Sequence, residues 1–227
     1  MINRVHARFH RPENGWDPVS PEHAVKYGAS EWQAVNHALL DELEQRIGGF
    51  QGKRILDLGG GPGQYSIAFA KRGGEVTWHD VSQNYRSMAH EKAKAFAVAD
   101  KIQFSLGYLD EAPNLLPDPY DLVFNRICWN YGFSDRSFAE VVYRMVRHGG
   151  YGYVDTNHSG SKREQLSVSS LFRTWLNDTF AIKIGHPFPP HGRLAHLFLH
   201  YPLQRLVVDY RSPSNDRILF EKAASDR

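Results

Sequence analysis

An acid followed closely by spaced glycines is the most chemically suggestive feature of the chain. In the stretch RILDLGGGPGQY, Arg54 to Tyr65, an apolar run carries Asp57, and Gly59, Gly61 and Gly63 then lead into an amphipathic segment. Glycines at this spacing permit turns with positive φ and let backbone N–H groups approach a ligand at a helix start. The stretch reads as a cradle for a nucleotide cofactor. The dinucleotide fingerprint GxGxxG does not fit it, because its third glycine falls on Gln64 counted from Gly59 and on Ser66 counted from Gly61. Asp57 argues the same way, since a carboxylate there repels a pyrophosphate and suits a cationic group. A second acid, Asp80, closes the run EVTWHD. It lies roughly 20 residues beyond the glycines, where an α/β nucleotide fold sets a carboxylate on the ribose hydroxyls.

The pattern around these residues alternates apolar strands with amphipathic helices. Helices are expected over 64–72, 82–99 and 134–147, and strands over 75–80, 101–106 and 120–127, with a further strand in RHGGYGYVDT ending at Asp155. Such alternation implies right-handed crossovers and a parallel central sheet. Two closing runs, LQRLVVDYRS and DRILFEKA, are separated by Pro213, Ser214 and Asn215 and read as an antiparallel hairpin. Upstream, residues 1–19 read as an irregular, solvated arm. Ser20 and Pro21 have the look of an N-cap and first helical position, and a second helix is expected over 30–47, stopping at Gly48 and Gly49. Between Thr156 and Tyr201 a helix is expected over 165–178, followed by the His- and Pro-rich stretch GHPFPPHGRLAHLFLHYP.

Asp57 two residues before GxGxG resembles the first motif of the class I S-adenosylmethionine (SAM) methyltransferases. YDLVFNR resembles that family's fourth strand, and HGG before an apolar strand its fifth. The resemblance covers about Gln51 to Leu219. It implies a Rossmann-like three-layer α/β sandwich with a mostly parallel seven-stranded sheet and a C-terminal antiparallel hairpin. Residues 1–50 would form an arm and helices covering the active site, and 51–227 the SAM-binding domain with a lid-like insertion at about 157–201. It further implies SAM as cofactor. Asp57 would face the methionine ammonium, Asn125 would offer it a backbone carbonyl, and Asp80 would hold the ribose. The family commonly sets an acid directly after the third strand for the adenine amine; here Tyr108 follows Gly107 and the first acid is Asp110. Either Asp110 reaches the adenine, or Tyr108 and Leu109 line the ring while backbone groups serve the amine.

The implied reaction is methyl transfer to oxygen or nitrogen of a small molecule. Asn130 and Tyr131 follow the fourth strand, where the family brings a loop close to the transferred methyl, and are candidates for orienting the acceptor. His158, just after the fifth strand, is the first choice of general base, with Asp155 orienting it or taking the proton. His186, His191, His196 and His200 invite a metal reading, but no HExxH motif or carboxylate set stands beside them, so no metal is expected. The acids that bind magnesium in catechol-type enzymes are replaced by Asn125 and Arg126.

Composition narrows the classes further. Lys and Arg number 27 against 25 Asp and Glu, a net charge of +2, so bulk electrostatics do not call for nucleic acid. NRICWN also departs from the Asn/Asp-Pro-Pro-Tyr/Phe motif of base amino-methylases. A nucleic-acid acceptor is therefore not expected. The single cysteine, Cys128, allows no internal disulfide, and no apolar run is long enough to span a bilayer, so a cytoplasmic protein with no membrane partner is expected. Oligomeric state is left open. Two other readings are a nicotinamide-dependent oxidoreductase, opposed by the glycine register and Asp57, and a non-catalytic SAM-fold binding protein.

Overall fold

A computed structural model describes residues 3–116, 119–159 and 168–224. Its centre is a seven-stranded sheet of β1 (Arg54–Leu58), β2 (Glu75–Asp80), β3 (Ile102–Leu106), β4 (Tyr120–Arg126), β5 (Val146–Asn157), β6 (Leu203–Asp209) and β7 (Asn215–Lys222). The order is β3-β2-β1-β4-β5-β7-β6. β1 to β5 run parallel, whereas β7 is antiparallel to both β5 and β6. The expected fold, including its closing hairpin, is the observed one.

The central strands are apolar on both faces because helices cover both. Ile55, Leu56 and Leu58 of β1 are fully buried, as are Leu122 and Val123 of β4. One face carries α2 (Pro21–Gln33), α3 (His37–Ile47), α4 (Gln64–Lys71) and α5 (Gln83–Ala95), whose core includes Leu40, Leu43, Phe69, Trp78 and Phe124. The other carries α6 (Ala112–Leu115), α7 (Asp135–Met145) and α9 (Arg193–Phe198), packed around Trp129, Phe138, Phe198 and Phe220. The remaining helices are α1 (Asn3–Phe9) and α8 (Val168–Phe180).

Several expectations change in detail. The arm is not irregular: it contains α1, and it is tied down where Tyr108 Oη donates to the His10 carbonyl at 2.6 Å and Arg11 pairs with Glu111 at 2.6 Å. Ser20 caps α2 as expected, but the pattern read as one helix over 30–47 is two. Trp32 belongs to α2, the chain breaks at Ala34, and Asn36 caps α3 by accepting from Leu39 N–H. β5 runs two residues past Asp155. Residues 165–167 of the expected lid helix lie outside the described residues, and α8 extends to Phe180. The segment after α8 is no loose cover, since Leu194, Leu197 and Phe198 join the second core.

Candidate active site

β1, β2 and β4 deliver their carboxyl ends to one edge, the edge at which an open parallel sheet binds ligands. The turn after β1 is built against that edge. Gly59 and Gly60 both donate to the His79 carbonyl, at 2.8 and 3.2 Å, and Trp78 Nε1 donates to the Gly61 carbonyl at 3.0 Å. Gly59 has φ +85 and a Cβ there would lie 2.2 Å from Cys128 Sγ; Gly63 has φ +85 and a Cβ would lie 2.5 Å from Ala89 Cβ. Gly61, at φ +48, has nothing within 4 Å of where its Cβ would be. The turn is thus closed underneath, where the N–H groups of Gly59, Gly60, Gly61 and Gly63 already donate to His79, Asp80 and Gly60, and open beside Gly61 ahead of α4.

Two carboxylates flank the opening. Asp57 is buried and accepts from Ser66 Oγ at 2.6 Å. Burial pushes its pKa up to about 7, against the lowering effect of Ser66 and with a further push from nearby Asp80. Asp80 accepts from Gly61 N–H and Ser82 N–H, each at 3.0 Å, and burial raises its pKa as well. Two acids held close at raised pKa are poised to receive positive charge and hydroxyl donors. Across the turn, Asn125 is fully buried, and its Nδ2 donates to the Leu58 carbonyl at 2.8 Å. Its Oδ1 is buried with no hydrogen-bond partner among the described residues. Acids facing an open glycine turn, an acceptor oxygen without a donor and a helix N-terminus fit the ribose and amino-acid ends of SAM.

His79 is fully buried and turns away from this opening. Its Nε2 donates to the Tyr108 carbonyl at 3.1 Å and its Nδ1 meets Ser105 Oγ at 3.0 Å; burial lowers its pKa, so it is neutral. Asp110 is likewise engaged: it accepts from Phe133 N–H at 2.7 Å and Ser137 Oγ at 2.9 Å, at the start of α7. Its pKa is raised to about 6 by burial. Tyr108 instead lies beneath the arm, stacked on Trp16 at 6.0 Å.

Beyond β4 the chain turns sharply. Ile127, β-branched, sits at φ +60, held by its N–H to the Asp155 carbonyl at 2.7 Å. A left-handed β-branched residue is a strained one, and such strain concentrates at functional edges. Trp129 closes the core, its Nε1 donating to Asp135 at 3.2 Å. Asn130 is buried, while Tyr131 is exposed and packs its ring on His186 at 4.9 Å.

Asp155 and His158 are not brought together as a pair. The Asp155 carboxylate accepts from Asn215 Nδ2 at 2.8 Å and lies 3.6 Å from Arg126 and 3.4 Å from Arg217. Arg126 in turn reaches Glu31 of α2 at 3.4 Å and stands over the Tyr65 ring. His158 is buried, donates its backbone N–H to the Ser214 carbonyl at 3.0 Å, and meets the ring of His191 at 4.7 Å.

Sequence reading did not single out four of these residues for the site. Asp17 accepts from Ser82 Oγ and Asn84 N–H beside Asp80, at 3.2 and 2.9 Å. Glu31 and Arg126 bridge α2 to the sheet edge, and Asp216 accepts from His191. Each contact joins segments far apart in the chain, and a single acid or arginine in an otherwise ordinary helix or strand carries no local signal.

Residues 55–150 match the model of a methyltransferase domain. The tRNA 5-carboxymethoxyuridine methyltransferase of Escherichia coli (strain K12) is 30% identical over 126 residues, covering 55% of this chain and 48% of that protein. A ubiquinone biosynthesis O-methyltransferase of Aeromonas salmonicida (strain A449) is 30% identical over 134 residues, covering 59% of this chain and 56% of that protein. The chain therefore spans about half the length of these curated relatives. In fold alone it is similar to the crystal structure of the [4+2]-cyclase SpnF, with a TM-score of 0.61 at 16% identity over 83% of this chain and 81% of that one. Acid-and-glycine motif, sheet topology and the match over residues 55–150 make this part of the chain similar to the methyltransferase domains of SAM-dependent enzymes.

Proposed function

We propose that the chain transfers a methyl group from SAM to an oxygen or nitrogen of a small-molecule acceptor. The observation that carries this is the open glycine turn between two acids of raised pKa, with Gly61 N–H already donating to Asp80. Once bound, SAM supplies a sulfonium whose methyl is electrophilic. The residues do the rest. Asp57 and the Asn125 region meet the positive amino-acid end, and Asp80, backed by Asp17, holds the ribose. Leu109 lines the adenine, since the Asp110 carboxylate is taken by Phe133 and Ser137 and the Tyr108 carbonyl by His79 and Glu111. α2 covers this edge, since a Cβ on Gly28 would meet Met88 Sδ at 2.6 Å and Pro62 at 3.5 Å.

On the acceptor side stand exposed Tyr131 and the His158 corner. His158 serves the acceptor. Asp155, set among Arg126, Arg217 and Asn215, positions this corner rather than taking a proton. Residues 1–50 act as cover and the segment after β5 as selector of the acceptor. The E. coli relative's name favours tRNA as a second reading. Methyl-labelled SAM given to the full chain with either a panel of phenols, carboxylic acids and amines or total tRNA separates them. Label in a small molecule is expected. Label in tRNA alone overturns that acceptor class, and SAM bound with no transfer to either points to the non-catalytic reading.

A further inference from the structure

The histidines of the segment after α8 do not stay together. His196 and His200 meet each other at 5.2 Å, and His186 packs on Tyr131. His191 is carried instead to the junction of β5 and β7. There Asp216, fully buried in β7 opposite Thr156, accepts from His191 Nδ1 at 2.6 Å through one oxygen and from Gly192 N–H at 2.6 Å through the other. His158, leaving β5 two residues after Thr156, brings its ring to 4.7 Å from that of His191. One ligand atom from each of the three lies within 4.8 Å of the other two.

We propose that His158, His191 and Asp216 bind a divalent first-row transition-metal ion of the Zn2+ type. Two imidazoles and one carboxylate are the donors such ions take, whereas Mg2+ and Ca2+ ask for more oxygens. Bonds of about 2.0–2.2 Å hold ligand atoms roughly 3–4 Å apart, so a separation of up to 4.8 Å closes by a shift of about 1–2 Å. His191 can make that shift, because its side chain is 53% exposed while Asp216 and His158 are held by the sheet. Its exposure also gives the ion an entry path and leaves coordination positions open. Gly192 N–H fixes one Asp216 oxygen and leaves the other, now facing His191, to the ion, an outer support of the kind metal carboxylates need.

Ion binding does not depend on the methyl-transfer reading. If both hold, His158 serves the acceptor as a ligand of the ion and not as a free base. The test is calorimetric titration of the full chain, stripped with a chelator, with Zn2+ and separately with Mg2+, together with the visible absorption of added Co2+. One Zn2+ per chain, a Co2+ band and no Mg2+ binding are expected. His191→Ala and Asp216→Asn should each weaken Zn2+ by about a hundredfold or more and abolish the band. His191→Ala alters a half-exposed side chain, so its folding, checked by circular dichroism, keeps that arm decisive. His196→Ala should change nothing. Absence of stoichiometric Zn2+ binding overturns the site, and so does binding that His191→Ala leaves intact. Methyl transfer by protein free of metal would overturn a role for the ion in that reaction, while Zn2+ binding without methyl transfer would overturn the reaction and leave the site standing.

Discussion

In the proposed site, Asp57 is the residue whose protonation bears most directly on cofactor affinity. Folding raises its pKa from 3.8 to about 7 through burial. The sign for stability follows: a raised acid contributes fully below the unfolded value, and that contribution is lost as pH climbs toward 7. A cationic ammonium favours the ionised form, so SAM affinity should rise by up to about tenfold per unit between pH 6 and 7 and level off above. Titration calorimetry across pH checks this, and Asp57→Asn should flatten the profile. Asp80→Ala removes an acceptor of two backbone N–H groups and, in the proposed site, of the ribose hydroxyls. A loss of about 2 kcal/mol, roughly thirtyfold in SAM or S-adenosylhomocysteine affinity, is expected by the same measurement. His158→Ala should lower kcat with cofactor affinity intact; unchanged turnover would remove His158 from the acceptor side.

Among the elements, the segment after α8 is held by charge as well as by apolar packing. Lys183 is buried and pairs with Asp135 at the start of α7 at 2.9 Å, and Asn177 of α8 donates to the same carboxylate at 3.0 Å. Removing one partner of a buried pair strands the other, so Lys183→Met should cost about 3–5 kcal/mol in chemical denaturation. Lys183→Met combined with Asp135→Asn should recover part of that loss. A lid that swings as a whole would not show this penalty. α8, pinned by Asn177, still leaves Leu171, Phe172, Trp175 and Phe180 exposed.

For the whole molecule, charge balance bears on the acceptor. With 27 basic against 25 acidic side chains the net charge is +2, a weak bulk pull on a polyanion. Tight tRNA binding is not expected near 150 mM salt, where phosphate contacts weaken steeply. A gel-shift series in salt tests it, and submicromolar binding at that salt would favour the tRNA reading. Among the described residues no helix is long and apolar enough to cross a membrane. The likeness to a [4+2]-cyclase is a reminder that this sheet hosts more than one chemistry, so the reaction must be argued from side chains.

The alternation of strands and helices, the glycine turn and the acids at the ends of β1 and β2 were legible without coordinates, because each is a local matter: period-two or period-3.6 burial, positive φ at glycine, an acid at a strand's end. Helical α1 was missed because its apolar residues are too few to show a period, and the break at Ala34 because the apolar spacing runs on across it. The surroundings of Asp155 and His158 were decided by tertiary structure alone. Asp155 went to two arginines and His158 to His191 because the antiparallel pairing of β5 with β7 sets Asn215, Asp216 and Arg217 across from Asn157, Thr156 and Asp155. Pairing across a sheet depends on register between segments about 60 residues apart, and no single residue along the chain announces its partner.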